Sequence, residues 1–155
     1  MEKTWRIRVA EERDAEALVE FNARLAEETE GKKLDRGRLT EGVGAVLGDE
    51  RKGKYFVAED GGRVVGQLMV TFEWSDWRNG NIWWLQSVYV EAAYRRRGVF
   101  RDLMDYVDAM QRSAPDAIGL RLYVDQDNLS AQNTYLRLGF QQSGYQVMER
   151  LPDHS

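Results

Sequence analysis

Apolar and polar residues alternate at the start of the chain. In TWRIRVA, Trp5, Ile7 and Val9 share one side and Arg6 and Arg8 the other, which predicts a half-buried strand. Asp14 is placed to cap the next segment, where Ala15, Leu18, Val19, Asn22, Leu25 and Ala26 recur at helical spacing. Residues 29–37 (TEGKKLDRG) read as a polar loop. RLTEGVGAVLGD reads as a second helix weakened by Gly42 and Gly44, each costing about 1 kcal/mol relative to alanine. KYFVAED and GRVVGQLMVTFEW predict two strands joined at Gly61 and Gly62, a two-residue hairpin signal. Asn79 and Gly80 mark another tight turn before IWWLQSVYV, a strand rich in β-branched and aromatic side chains. Val99, Leu103, Val107 and Met110, broadened by Phe100 and Met104, make one face of a helix that Pro115 stops. In IGLRLYV, Ile118, Leu120, Leu122 and Val124 fall on one side. Asn128 or Ser130 caps a short helix carrying Ala131, Tyr135 and Leu138, Gly139 ends it, and YQVMER is predicted as a final strand.

The order is β-α-α-β-β-β-α-β-α-β. The strand before Gly98 and the strand at Ile118 are joined through a helix, so they are expected to run parallel, while the glycine turns make antiparallel hairpins. The expected class is α/β (α+β): a mixed, mostly antiparallel central sheet of six to seven strands with helices on both faces. No repeat, linker or low-complexity stretch divides the chain, so one domain over residues 1–151 with a tail at 152–155 is expected.

Composition narrows the chemistry. A chain of 155 residues can bury a core without disulfides or metals. Cysteine is absent, which removes thiol nucleophiles and Cys-based zinc sites, and the one histidine, His154, lies in the tail. No metal site is expected, and acid–base work falls to Asp, Glu, Tyr or Lys. The chain has no apolar run long enough for a membrane span and no signal-peptide stretch near Met1, so a soluble cytoplasmic protein is the expectation. A net charge of −4 argues against a general nucleic-acid binder.

The charge is uneven. Residues 11–30 hold eight Asp or Glu against two Arg, whereas Arg95, Arg96, Arg97 and Arg101 surround Gly98 at the start of a helix. Unpaired N–H groups, the positive end of the dipole and a glycine that admits close approach make such a helix start a cradle for an anion. A solvated charge run is the plainer alternative. The stretch is neither a P-loop nor a dinucleotide fingerprint, because both glycine patterns are missing.

VEAAYRRRGVF resembles the acyl-CoA pyrophosphate loop of the GNAT superfamily of N-acetyltransferases, [Q/R]-x-x-G-x-[G/A] after a strand ending in Val. NLSAQNTYLRLGF resembles the family's later motif of Asn, Ala, Tyr and Gly-Phe. The departure is Phe100, where the family usually has Gly or Ala; its side chain is expected to point into the core, since otherwise it would crowd a phosphate. The resemblance implies a GNAT-like fold and acetyl-CoA as co-substrate. It implies cofactor contacts from Val88, Tyr89 and Val90 through a splayed strand, from Arg95, Arg96, Arg97, Gly98, Val99, Phe100 and Arg101 in the loop, and from Asn128. Tyr135 is implied as the general acid, since a phenol with an ordinary pKa near 10 stays protonated at neutral pH.

The general base is not carried over. Some members place a Glu six residues before the strand's final Val, and that position here is Trp84. Glu73 stands as the candidate base, with Asp76, Asp125, Glu28 and Glu30 as alternatives. Trp74, Trp77, Trp83 and Trp84 beside Glu73 and Asp76 suit a cationic amine, so Trp74, Trp84, Asp76, Asp125, Glu28 and Glu30 are expected to border the acceptor. Ordinary sheet packing or a homodimer seam is the alternative use of these tryptophans. The expected function is acetyl transfer to a primary amine of a small molecule or protein. A non-catalytic acyl-CoA-binding or regulatory module is the alternative, and a protein whose arginines form only a solvated face is a third reading.

Overall fold

The computed structural model describes residues 2–152, so His154 and residues 153–155 of the expected tail lie outside the described residues. Residues up to Tyr123 form one compact unit and those from Val124 a second. The first holds β1 (Trp5–Val9), α1 (Ala15–Glu30), α2 (Arg36–Gly48), β2 (Lys54–Asp60), β3 (Arg63–Ser75), β4 (Gly80–Val90), α3 (Val99–Ser113) and β5 (Ala117–Leu122). The second holds α4 (Leu129–Arg137).

The sheet runs β1-β2-β3-β4-β5. Its first three pairings are antiparallel and β4–β5 is parallel, as the helical crossover requires. Both backbone positions of the β2–β3 turn, Gly61 and Gly62, have positive φ (58° and 82°), the geometry that matches strand twist in a two-residue hairpin. Adjacent residues of β2 serve opposite faces. Tyr55 and Val57 pack against Leu18 and Val19 of α1 and Val43 of α2. Phe56 points the other way, where its ring lies 5.7 Å from that of Tyr106 on α3. Helices therefore cover both faces of a mixed, mostly antiparallel sheet.

Three expectations need correction. Among the described residues the sheet has five strands rather than six to seven, because residues 145–150 form no strand; Tyr145, Val147 and Met148 are exposed, Met148 by 91 %. Alternation states a preference for extended backbone, but a strand needs a ladder partner as well. Asp14 does not cap α1. A short 3₁₀ turn (Glu12–Asp14) precedes the helix, and the Asp14 carboxylate accepts from the Glu11 N–H at 2.7 Å and from two Arg8 nitrogens at 2.8 and 2.9 Å. Arg8 is consequently drawn inward between Asp14 and Glu59 rather than facing water. The loop expected over residues 29–37 is shorter, since α1 continues to Glu30 and α2 begins at Arg36 under an Asp35 cap.

Candidate functional site

β4 carries an extra residue. Gln86 pairs with Met69 and Tyr89 with Gln67, so three steps on β4 face two on β3, and Ser87 takes a left-handed φ of 52°. The parallel ladder to β5 ends at Leu85 opposite Leu122. Beyond it, within this unit, residues 86–90 of β4 pair only with β3. The Glu91 N–H donates to Val65 C=O on β3, so by alternation the Val90 edge faces away from β3. The splay anticipated for Val88 and Val90 is present as a strand edge without a partner strand in its own unit.

That edge leads into the arginine turn. Gly98 has φ of 100° and stands before α3, whose first helical hydrogen bond is Asp102 N–H to Gly98 C=O at 3.0 Å. No side chain caps this helix start. Gly66 on β3 lets it sit close: a Cβ there would lie 3.0 Å from a Val99 methyl. Val90, Tyr94, Arg95, Arg96, Gly98, Val99, Phe100 and Arg101 line a hollow of about 440 Å³. Backbone amides, a glycine and guanidinium groups are a donor set that fits a diphosphate.

The arginines differ in their engagements. Arg95 donates to Val90 C=O at 2.7 Å and to Glu28 at 2.8 Å, and its guanidinium lies 5.2 Å from the Tyr89 ring centre. Arg97 stacks over Trp5 and Tyr94. Arg96, at φ of 62°, and Arg101 are exposed on the hollow's rim. Phe100 is half-buried on the hollow's wall rather than in the core, because the second residue of α3 sits on the side turned to the hollow.

The proposed acceptor residues of this unit do not converge. Glu28 reaches the arginine turn instead, accepting from Tyr89 Oη as well as Arg95; these bonds hold its carboxyl below the usual range and keep it ionised. Burial and the Glu28 carboxylate push the Tyr89 phenol up. Glu73 pairs with Ile82, eight residues and so about 26 Å along β4 from Val90. It accepts from Trp84 Nε1 at 2.7 Å and from Arg121 at 3.1 Å, while Tyr123 lies against Trp84 with ring centres 4.4 Å apart. Asp76 accepts from the Trp77 N–H within its turn, and Glu30 pairs with Lys32. Strand alternation separates the tryptophans: Trp83 packs on Phe72, Trp84 faces the opposite side, Trp74 is exposed, and Trp77 is 90 % exposed. Among the described residues no group of three or more His, Asp or Glu is placed to hold a metal ion, and no helix is long and apolar enough to cross a membrane.

In the second unit, Asn128 Oδ1 accepts from Ala131 N–H at 3.0 Å, the helix cap that was predicted. Asp125 accepts from the Asp127 N–H in the preceding turn. Tyr135 packs edge-to-face on Phe140, and burial pushes its phenol up. The sequence reading passed over Gln67, Ser87 and Arg121. A lone polar residue inside VVGQLMV and the loss of alternation at Ser87 were the available signals. Arg121 gave none beyond its place in a strand.

The sequence pattern of the Acetyltransferase (GNAT) family matches residues 11–140, across both units. A possible acetyltransferase from Clostridium difficile 630 is 45 % identical, with TM-score 0.91 over 98 % of this chain and all of that one. A predicted acetyltransferase with acetyl-CoA from Clostridium acetobutylicum is 17 % identical, with TM-score 0.77 over 94 % of this chain and 96 % of its own. Glucosamine-6-phosphate N-acetyltransferase from Arabidopsis thaliana is 16 % identical, with TM-score 0.74 over 97 % of this chain and all of its own. These last two likenesses concern the fold. No curated protein matches the chain. With the splayed strand, the glycine turn and a family pattern spanning most of its length, the chain belongs to the GNAT acetyltransferase family.

Proposed function

We propose that this protein is an N-acetyltransferase that moves an acetyl group from acetyl-CoA to a primary amine by direct attack in a ternary complex, within one domain over residues 1–151. The observation that carries this reading is the continuity of the open β4 edge at residues 86–90 with the α3 start at Gly98. Amides after the turn would hold the diphosphate, Arg96 and Arg101 would add charge from the rim, and the outward edge of Val88 and Val90 would hold the pantetheine arm and the acetyl oxygen. The C. acetobutylicum neighbour with acetyl-CoA shares this fold.

Transfer forms an N–C bond and breaks a C–S bond; the amine loses one proton and the leaving thiolate gains one. Tyr135 is the proposed donor of the second proton, and its raised pKa keeps it protonated for that role. Glu28 is a poor candidate for the first, because its hydrogen bonds favour the ionised form and weaken it as a base. Glu73, the other candidate, is tied to Trp84 and Arg121 well down β4 from Val88, so it would receive the first proton only through a relay of waters.

The non-catalytic acyl-CoA module keeps one specific point in its favour: Trp84 stands where some members carry a Glu, and it ties Glu73 to itself. Mass spectrometry of acetyl-CoA reactions with a panel of amines and peptides separates the two. A gain of one acetyl group, lost in Tyr135→Phe, supports the enzyme. Coenzyme A binding by calorimetry with no turnover on any acceptor supports the module, and no binding at all removes both.

A further inference from the structure

We propose that Gln67 is a positioning residue for acyl transfer: by holding the Ser87 carbonyl, it aims the Val88 N–H at the acetyl oxygen of the bound thioester. This rests on the acetyltransferase reading above.

Gln67 sits in the middle of β3 with no exposed surface. Its Nε2 donates to Ser87 C=O at 2.8 Å. A carbonyl can only accept, so the amide nitrogen must be the atom on that side. The Oε1 atom is consequently left buried without a partner. Such an orphan costs about 1–3 kcal/mol, while the Nε2 bond to Ser87 C=O offsets a cost of similar size, so the glutamine brings little net stability and its distinctive effect is the direction in which it holds that carbonyl.

What the side chain holds is the bulge. Ser87 is the extra residue of β4 and is in the left-handed region. Across a planar trans peptide, Ser87 C=O and Val88 N–H point in opposite directions. Fixing the carbonyl toward Gln67 on β3 sends the Val88 N–H to the far edge, where β4 has lost β5. A second tie comes from Tyr55, whose hydroxyl is shared by the Ser87 side chain and Asn22 Nδ2 at 3.1 Å. The donor is then oriented before reaction, so no reorganisation is needed as charge develops on the acetyl oxygen. Without Gln67 the peptide between residues 87 and 88 is free to turn, and the N–H leaves that line.

The test is Gln67→Met, which keeps volume and removes the donor. Loss of one oxyanion donor lowers kcat by 10²–10³, so a residue acting at one remove is expected to lower it by about 10–100-fold. Coenzyme A affinity stays at the wild-type value, and the melting temperature changes little because the lost Ser87 bond and the removed Oε1 orphan offset each other. A turnover-free readout uses ¹⁵N-valine protein. In the wild type the Val88 amide resonance differs between the acetyl-CoA and coenzyme A complexes, and in Gln67→Met that difference disappears. A folded variant with unchanged kcat, or with the Val88 difference intact, overturns the proposal. If Gln67→Met does not fold, Gln67→Leu, which also lacks a donor, takes its place; failure of both assigns Gln67 to the fold alone and also overturns it. A wild type that binds coenzyme A but acetylates nothing and shows no Val88 difference removes the acetyltransferase reading and this proposal together. An active wild type with an equally active variant removes only the role of Gln67.

Discussion

Arg95 and Arg96 are neighbours in sequence with different positions in the molecule. Arg95 is tied to Glu28 and Val90 C=O, while Arg96 stands exposed at the rim of the hollow. Composition announced a cluster of positive charge there, but not which members were already committed. The glycine was more legible: a residue that must adopt φ of 100° beside a helix start is a backbone requirement. At Gly98 we expect glutamate to remove coenzyme A binding, since it adds bulk, strain and negative charge at the proposed diphosphate site. Calorimetry beside circular dichroism checks this, with Gly98→Ala as the control for strain. A folded glutamate variant of unaltered affinity contradicts the cradle. Phe100 was misread because its face of α3 depends on where the helix meets the hollow, which spacing within the segment does not encode.

Helices α1 to α4 and five strands follow the periods read from the chain, because each pairs a buried stripe with polar punctuation. The errors fall where an element depends on a neighbour. Residues 145–150 alternate but form no strand. The bulge at Ser87 shifts the parity of β4 between Gln86 and Tyr89, because a register shift is set by pairing with β3. Close approach between elements is also invisible in a single segment. A Cβ on Gly80 would lie 2.4 Å from Ile118 Cγ2 and 2.9 Å from Asp116 C=O, where the parallel ladder begins. Gly80→Ala should therefore destabilise by about 1–3 kcal/mol through overpacking, read as a lower urea midpoint. An unchanged midpoint means that β5 can move aside.

Across the molecule, the charged groups form local networks that span distant parts of the chain. Arg8 on β1 meets Asp14 ahead of α1 and Glu59 on β2. Burial alone would push the Asp14 carboxyl up, but the Arg8 hydrogen bonds, the Glu11 amide and the Arg8 charge outweigh it, and its pKa lies below the ordinary 3.8. A lowered folded-state pKa contributes stability that is present above about pH 4 and is lost as pH falls through the folded value. Asp14→Asn should cost roughly 2–3 kcal/mol at pH 7, less than the ~3–5 of a fully buried pair because Arg8 retains Glu59. Urea melts should show the difference from wild type shrinking toward pH 2.5; a constant difference refutes the linkage. By itself, the sequence determined the order and type of most elements, the parallel crossover, the family and the glycine turn, since all of these follow from local period or from motifs contiguous in the chain. Only the tertiary structure decided the five-strand sheet, the inward Arg8, the tethering of Arg95 and the hold of Gln67 on Ser87. Each of these depends on which groups meet across tens of residues, and such meetings leave no period in the chain.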